Sequence, residues 1–453
     1  MIVTKVQFYT EIYQEHLIET GSIFTHIQDY FVDFNIRWSD TWELQQRIKA
    51  HVDALELGEE LARKCSLEFL ESDDEDEFLG AIYSLATISV DDIGVNAVID
   101  EFADEKDQDR QAYYITAFKP GKHPRLTEKL RPLLQHETSL IRAATAEILG
   151  YRGDADPHRI WPLFHDKDES VKTAAMVAVM RLGFKEAVPA MEQAVLENKE
   201  IFNEHCIFPL LMLGSQKALQ FTRHACQSAS DIKPQYPVYL ALAGNGEDIA
   251  HLFHVFQFDD MRIAALEALG IFGSLHGVNT LMNFLLSKND EQKLAAAKSL
   301  NQISGAQLYE TITVIEKDED DIDPEDIIGL PAASGEGKQP GDERRVEIKQ
   351  ACTDKDSWAQ WWQENKANFD QSIRYRYGKP YSFLLCLQEI AHPETNFDDR
   401  QRAYHELVIR SGHHIPFEPD WFVDKQIEAL KKWQSWWNQN KTDLTNPWMF
   451  DGK

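Results

Sequence analysis

The sequence predicts an all-α protein whose central part is an α-solenoid. Apolar segments with helical spacing recur, and each is followed by glycine or asparagine, the residues that most often end a helix in the left-handed conformation. A second apolar helix follows each of these positions, and no convincing run of alternating strand pattern occurs. Two helices per unit, at a period of about 30 residues, are the signature of an α-solenoid. The predicted caps are Gly150, Gly183, Gly214, Gly244, Gly270 and Asn301.

Residues 1–77 are predicted to form a helical N-terminal region that precedes the repeats. Apolar residues recur at three- and four-residue steps in 9–27 and again in 41–72. The run ESDDEDE at 71–77 has six acids in seven residues. We interpret it as a solvated turn before the first repeat.

Residues 78–310 are predicted to hold about seven repeats. The segment RIAALEALGIFGSLHGVNTLMNFLLSKND at 262–290 resembles the short HEAT-like repeat, in the variant shared with phycobilin lyases. Pairs of small residues recur in the first helices, as in Ala143–Ala144 and Ala174–Ala175. We expect two helices to approach closely at these pairs.

An acidic flexible linker is predicted over 311–345, followed by a C-terminal helical domain over 346–453. The segment 316–326 carries eight acids against one lysine, and glycine and proline follow it. The C-terminal domain contains two copies of one pattern, WAQWWQENK at 358–366 and WQSWWNQNK at 433–441.

The tryptophans of each copy fall on one helix face, because positions i, i+3 and i+4 are neighbours. Such a stripe usually packs into a core, and we interpret both stripes in this way. The alternative is an aromatic groove for a partner helix or peptide. On that alternative, Trp361 and Trp436 are candidate partner-binding residues.

The charge balance separates classes of partner. Lys and Arg total 46 against 75 Asp and Glu, a net charge of −29. Binding nucleic acid or anionic lipid requires clustered positive charge, so neither is an expected partner. A basic protein would be attracted, and solubility alone is the other explanation of the charge.

The first residues, the apolar stretches and the spacing of the cysteines predict a cytoplasmic protein. The first residues lack the apolar core of a signal peptide, and no stretch is long and apolar enough to span a membrane. Five cysteines are scattered without short spacings, which argues against a disulfide framework or a thiolate zinc site.

No catalytic, cofactor-binding or metal-binding constellation is predicted. Two His-Glu pairs, at His136 and His405, fall short of the four that helical-repeat iron hydroxylases use. His251 and His254 have a metal-compatible spacing, but only Asp248 stands near them in the sequence. We therefore interpret these histidines as interface or half-buried residues.

Three segments carry a wider resemblance, to an uncharacterised family of proteobacterial HEAT-like-repeat proteins. They are RIKAHVDALELG at 47–58, RYRYGKPYS at 374–382 and RQRAYHEL at 400–407. Val52 and Ala54 depart from the family's Leu and Gly. Family members lie near genes for type VI secretion effectors and their adaptors, which implies an immunity or accessory role.

These observations lead to three hypotheses. The first is a non-catalytic, cytoplasmic immunity protein that grips and occludes a toxin domain, for example a basic one. The second is an adaptor or chaperone that loads an effector, and the third is an enzyme that modifies a protein or a tetrapyrrole. For the binder, a solenoid presents its second helices along a concave face, where we place Glu192, Glu197 and Asp248.

Overall fold

The computed structural model describes residues 4–32, 37–197, 199–316 and 344–453. These residues form 22 α-helices, with four short strands in two separate two-stranded sheets. The prediction of a predominantly helical chain is confirmed. The strands were not predicted, and their antiparallel pairing satisfies backbone N–H and C=O groups that lie outside helices.

The chain divides into two compact units. The larger comprises Met1–Ala225, Leu242–Asn245 and Ser382–Lys453, and the smaller comprises Cys226–Ala241 and Gly246–Tyr381. The predicted boundaries differ from these units. The boundary at 77/78 falls inside a helix, Glu75–Leu85, and residues 346–453 are divided between the two units.

The larger unit contains sixteen helices. They are α1 Lys5–Val32, α2 Thr41–Leu57, α3 Glu59–Phe69, α4 Glu75–Leu85, α5 Ile93–Asp104, α6 Gln108–Phe118, α7 Leu126–Leu130, α8 Ser139–Arg152, α9 Pro157–Ile160, α10 Glu169–Arg181, α11 Val188–Glu197, α12 Lys199–Met212, α13 Gln216–Ala225, α20 Phe383–Ala391, α21 Phe397–Ser411 and α22 Val423–Asn440. Short 3-10 turns join several of them.

The smaller unit contains most of the remaining elements. They are α14 Gln235–Ala243 (its last two residues belong to the larger unit), α15 Ile249–Val255, α16 Arg262–Phe272, α17 Val278–Phe284, α18 Asp290–Ser304, β1 Tyr309–Glu316, β2 Arg344–Ala351, α19 Lys355–Asn365, β3 Tyr375–Arg376 and β4 Lys379–Pro380. Strands β1 and β2 pair antiparallel, from Tyr309 opposite Ala351 to Glu316 opposite Arg344. The predicted linker thus begins and ends in strand, and its central part, 317–343, lies outside the described residues.

Three of the predicted helix caps lie inside helices instead. Gly150, Gly270 and Asn301 belong to α8, α16 and α18, and left-handed caps follow three or four residues later, at Gly153, Gly273 and Gly305. The glycine at 150 serves close helix packing, since a Cβ there would lie 2.5 Å from Cα of Ala178. A small residue at a helix crossing and a cap glycine look alike in the sequence.

The segments 411–421 and 449–452 lie against cap glycines of the larger unit. Gly183 and Gly214 have φ angles of +67° and +86°, which favour glycine. A Cβ at Gly183 would lie 2.6 Å from Cγ of His414, and one at Gly214 would lie 2.5 Å from Cγ of Asp451. These glycines are therefore required both for the turn and for the close approach of a later segment.

Candidate functional site

A cavity of about 860 Å³ lies in the larger unit among several of its helices. Helices α6, α8 and α10 supply most of its lining, and His205 of α12 contributes at one side. The second helices, where we placed Glu192, Glu197 and Asp248, do not line it. We call this cavity the groove.

The helices that form the groove run parallel. Ser139 at the start of α8 hydrogen-bonds Asp168 at the start of α10, and Gly150 meets Ala178 near the ends of the same two helices. Arg152 at the end of α8 donates to the carbonyl of Phe118 at the end of α6, at 2.9 Å. The groove therefore has one end at helix N-termini and the other at helix C-termini.

Small side chains form the floor of the groove. Ala143 and Ala144 of α8 lie beside Thr173 and Ala174 of α10. These alanine pairs were predicted to lie at helix–helix contacts. Only one alanine of each pair is buried, Ala144 and Ala175, and Ala143 and Ala174 are half-exposed to the groove.

A buried amide without a partner lies at the groove. Asp107 caps α6 by accepting from the backbone N–H groups of Asp109 and Arg110, which fixes the first turn that carries Gln111. Gln111 is 3 % exposed and lines the groove. Its Nε2 has no hydrogen-bond partner among the described residues. Buried donors are nearly always paired in native proteins, so this amide is an unusual feature of the helix that lines the groove.

Charged side chains flank the apolar floor. Nζ of Lys119 lies 2.8 Å from Oε1 of Glu147, and Nε of Arg181 lies 2.8 Å from Oε1 of Glu418. Glu169, in the first turn of α10, is exposed on the rim. Within the groove, the Glu147 and Arg181 charges are thus offset by neighbours, and the exposed charge at the N-terminal end is negative.

Behind Arg181 lies a half-buried group of ionisable residues from the loop 412–422 and from α22. Burial raises the pKa of Glu418 to about 7, although Arg181 acts in the opposite direction. Burial lowers the pKa of Lys425 to about 8, and its ammonium donates to the carbonyl of Arg152 at 2.8 Å. Oδ1 of Asp420 has no hydrogen-bond partner in the described structure. This group holds the groove wall through Arg181, because Glu418 fixes the guanidinium.

The predicted acids are placed differently from one another. Glu192 is half-buried and accepts from Oγ of Ser215 at 2.6 Å and from Nζ of Lys217 at 2.8 Å. Glu197 is exposed at the end of α11 and accepts from Nε2 of Gln193. Of these three residues, only Glu197 presents a carboxylate to solvent.

The prediction for Asp248 is wrong. The residue was placed on an open face, but it is only 2 % exposed. Its Oδ1 lies 3.6 Å from Nε2 of His251, whose Nδ1 is 2.7 Å from Nε2 of Gln227. His254 packs edge-on against Phe258, with ring centroids 5.7 Å apart. Over the described ranges, no group of three or more His, Cys, Asp or Glu is arranged to hold a metal ion.

The first tryptophan of each copy is buried and its indole is paired. Trp358 is 1 % exposed and donates to the carbonyl of Cys352 at 2.7 Å, and Trp433 is 0 % exposed and donates to that of Ile415 at 3.1 Å. The candidates Trp361 and Trp436 are half-buried. Trp361 packs with Phe369, and Trp436 stacks on His413 at 4.6 Å with the rings 3° apart.

The sequence predicted neither the groove nor the burial of Gln111 beside it. The signal available was the alanine pairs of 143–144 and 174–175, which recur about 30 residues apart. Adjacent residues of a helix point about 100° apart, so in these two helices one alanine packs against a neighbour and the other lines the groove. Nothing in the sequence marks Gln111, because its isolation arises from packing between helices.

No protein-family model matches the chain, and no curated protein is significantly similar to it. Among the helices of the described ranges, none is long and apolar enough to cross a membrane.

Proposed function

We propose that this chain is a non-catalytic, protein-binding helical scaffold whose groove receives a segment of another protein. The observation that carries the proposal is the groove on α6, α8 and α10, with a floor of small side chains and polar side chains such as Ser170 and Arg181 in its lining. Pockets that combine an apolar lining with a few placed polar groups are the usual binding sites of proteins. We interpret Glu418 and Lys425 as structural, because Glu418 pairs with Arg181 and Lys425 donates to the carbonyl of Arg152 behind the groove wall.

The wider architecture we propose is a HEAT-like solenoid. The left-handed glycines at Gly153, Gly183 and Gly214 are spaced about 30 residues apart, and they support a regular repeat in the larger unit. Stacked repeats of this kind expose one face as an extended binding surface.

The narrower role we propose is that of a cytoplasmic immunity protein for a toxin domain of a type VI secretion system. The family resemblance supports it, and the net charge of −29 would accelerate encounter with a basic domain. The mechanism would be occlusion of the toxin by a tight and persistent complex. An adaptor would instead form a transient complex that is passed on.

Filling the groove tests the general proposal. Ala174→Arg places a long cationic side chain on the floor, and Ala359→Arg adds the same side chain at an exposed position of α19. We expect a partner that co-purifies stoichiometrically with the natural chain to be lost with Ala174→Arg and retained with Ala359→Arg. Equal capture by both variants, with both folded by circular dichroism, would contradict the groove as the binding site.

A toxicity-rescue assay tests the narrower role. The captured partner is expressed alone in a sensitive host, with the natural chain or with Ala174→Arg. An immunity protein restores growth, and the groove variant does not. A partner that is harmless when expressed alone would rule out immunity and leave the adaptor role.

A further inference from the structure

We infer that His16 of α1 and His51 of α2 form a proton-sensitive clamp, which holds the first turns of α1 against α2 and releases them when both rings are protonated. Neither α1 nor α2 lines the groove, so this inference is independent of the proposed function. Three features carry it: the bond between the two rings, their position at the edge of a core, and the charges around them.

The two rings share one hydrogen bond. Nδ1 of His16 lies 2.9 Å from Nδ1 of His51, with ring centroids 5.1 Å apart. Such a bond needs one Nδ1 that carries a proton and one that is free to accept it. A first added proton leaves one donor and one acceptor. A second proton removes the acceptor, so the bond is lost and two positive charges face each other at short range.

The histidine pair lies where α1 leaves the core. Both rings are half-buried, and the residue after each of them is buried, Leu17 in α1 and Val52 in α2. Earlier in α1, Val6 and Tyr9 are exposed. The first turns of α1 thus bury little apolar surface of their own, and segments of this kind open most easily. The bond between the rings is therefore well placed to decide whether these turns stay on α2.

The charged groups that act on His51 come from both helices. Burial lowers the pKa of His51, the charges of His16 and Arg47 lower it further, and Glu19 acts in the opposite direction. Nη2 of Arg47 lies 3.3 Å from Oε2 of Glu19, so this carboxylate already has a cationic partner. The surroundings therefore favour a neutral ring at His51.

Acid is thus expected to weaken the contact between α1 and α2. The pKa of His51 in the folded chain lies below the unfolded value of about 6.5. The stabilising contribution of the neutral ring is therefore complete above the unfolded value, and it is lost as pH falls through the folded value.

Amide hydrogen exchange of the full chain at pH 7 and at pH 5 tests the clamp, with rates corrected for the intrinsic effect of pH. We expect the protection of residues 5–16 to fall by up to about tenfold at pH 5, as the loss of one hydrogen bond implies. The protection of α8 should change less. Equal protection of residues 5–16 at both pH values, or an equal fall in α8, would overturn the inference.

A matched pair of variants assigns the effect to the two rings. His51→Asn replaces the imidazole with an amide that still forms hydrogen bonds and does not take up a proton, so the fall in protection should disappear. His26→Asn changes an exposed histidine of α1 and should keep the fall. The same fall in both variants, with both folded by circular dichroism at pH 7, would contradict the assignment to the pair.

Titration of the histidine rings gives a second readout that does not require His51→Asn to fold. In the full chain labelled with ¹³C at the histidine Cε1 atoms, the signal of His51 should move in a step below pH 6.5. In His16→Asn this step should shift to higher pH, because the neighbouring charge is removed. A step of His51 that is the same in both chains would show that the rings do not share a proton, and the clamp would be rejected.

Discussion

The two tryptophan copies share a sequence pattern and differ in what surrounds them. In α19 and in α22, the first tryptophan is buried and donates to a backbone carbonyl. In both, the asparagine seven residues later donates to the carbonyl of the second tryptophan, at 2.8 Å. The neighbour of that second tryptophan is Phe369 in one copy and His413 in the other.

The comparison teaches that the repeated residues specify contacts within each helix, and that the context specifies the rest. The shared asparagine ties its side chain to the carbonyl four residues earlier, in the last turn of each helix. The aromatic partner comes from another part of the chain, so it is free to differ. The first tryptophan of each stripe is thus part of a core, as predicted. The second tryptophan is only half-buried.

Of the substitutions in the two copies, removal of the buried tryptophan should lower the free energy of unfolding most. We expect Trp358→Ala and Trp433→Ala each to lower the free energy of unfolding by about 3–5 kcal/mol. Trp433 has additional ring contacts with Tyr404 and His413, so its loss should be the greater. Urea titration followed by circular dichroism measures both, and a loss below about 1 kcal/mol would contradict core packing.

Substitution of the half-buried tryptophans should have the next largest effect on the free energy of unfolding. Trp361→Ala and Trp436→Ala should each cost about 1–2 kcal/mol, because each removes aromatic contacts but opens little cavity. The same titration applies. An effect as large as that of the buried tryptophan would show that the stripes are core along their whole length.

Substitution of the shared asparagine tests whether this residue has the same role in both copies. Asn365→Ala and Asn440→Ala should each cost about 1 kcal/mol, since each leaves one carbonyl of the last turn without its side-chain donor. Helix-end fraying is measured by amide hydrogen exchange in α19 and α22. A clear effect in one copy and none in the other would show that the pattern is repeated without a repeated role.

The pH dependence sharpens the difference between the copies. Burial lowers the pKa of His413, and Lys185 acts in the same direction. The neutral ring therefore stabilises the folded state above the unfolded pKa of about 6.5, and this contribution is lost as pH falls through the folded value. We expect His413→Phe to reduce the loss of stability between pH 7 and pH 5, and Phe369→Leu to leave that slope unchanged.

The helical class and the burial of the first tryptophan of each copy follow from the sequence, because apolar spacing reflects helix geometry directly. The caps predicted at Gly150 and Gly270 lie about one turn before the observed caps, because a small residue at a helix crossing resembles a cap in the sequence. The pairing of Arg181 with Glu418 joins residues far apart in the chain, and no local pattern encodes it. The groove was not predicted either, because most of its lining comes from three helices that are separate in the sequence.

The central claim is that the groove, and not the tryptophan helices, contacts the partner. Amide hydrogen exchange on the full chain, alone and in complex with the partner purified from its native host, tests it most directly. We predict that protection on binding concentrates in α6, α8 and α10. Protection confined to α19 and α22, with the three groove helices unchanged, would contradict the claim.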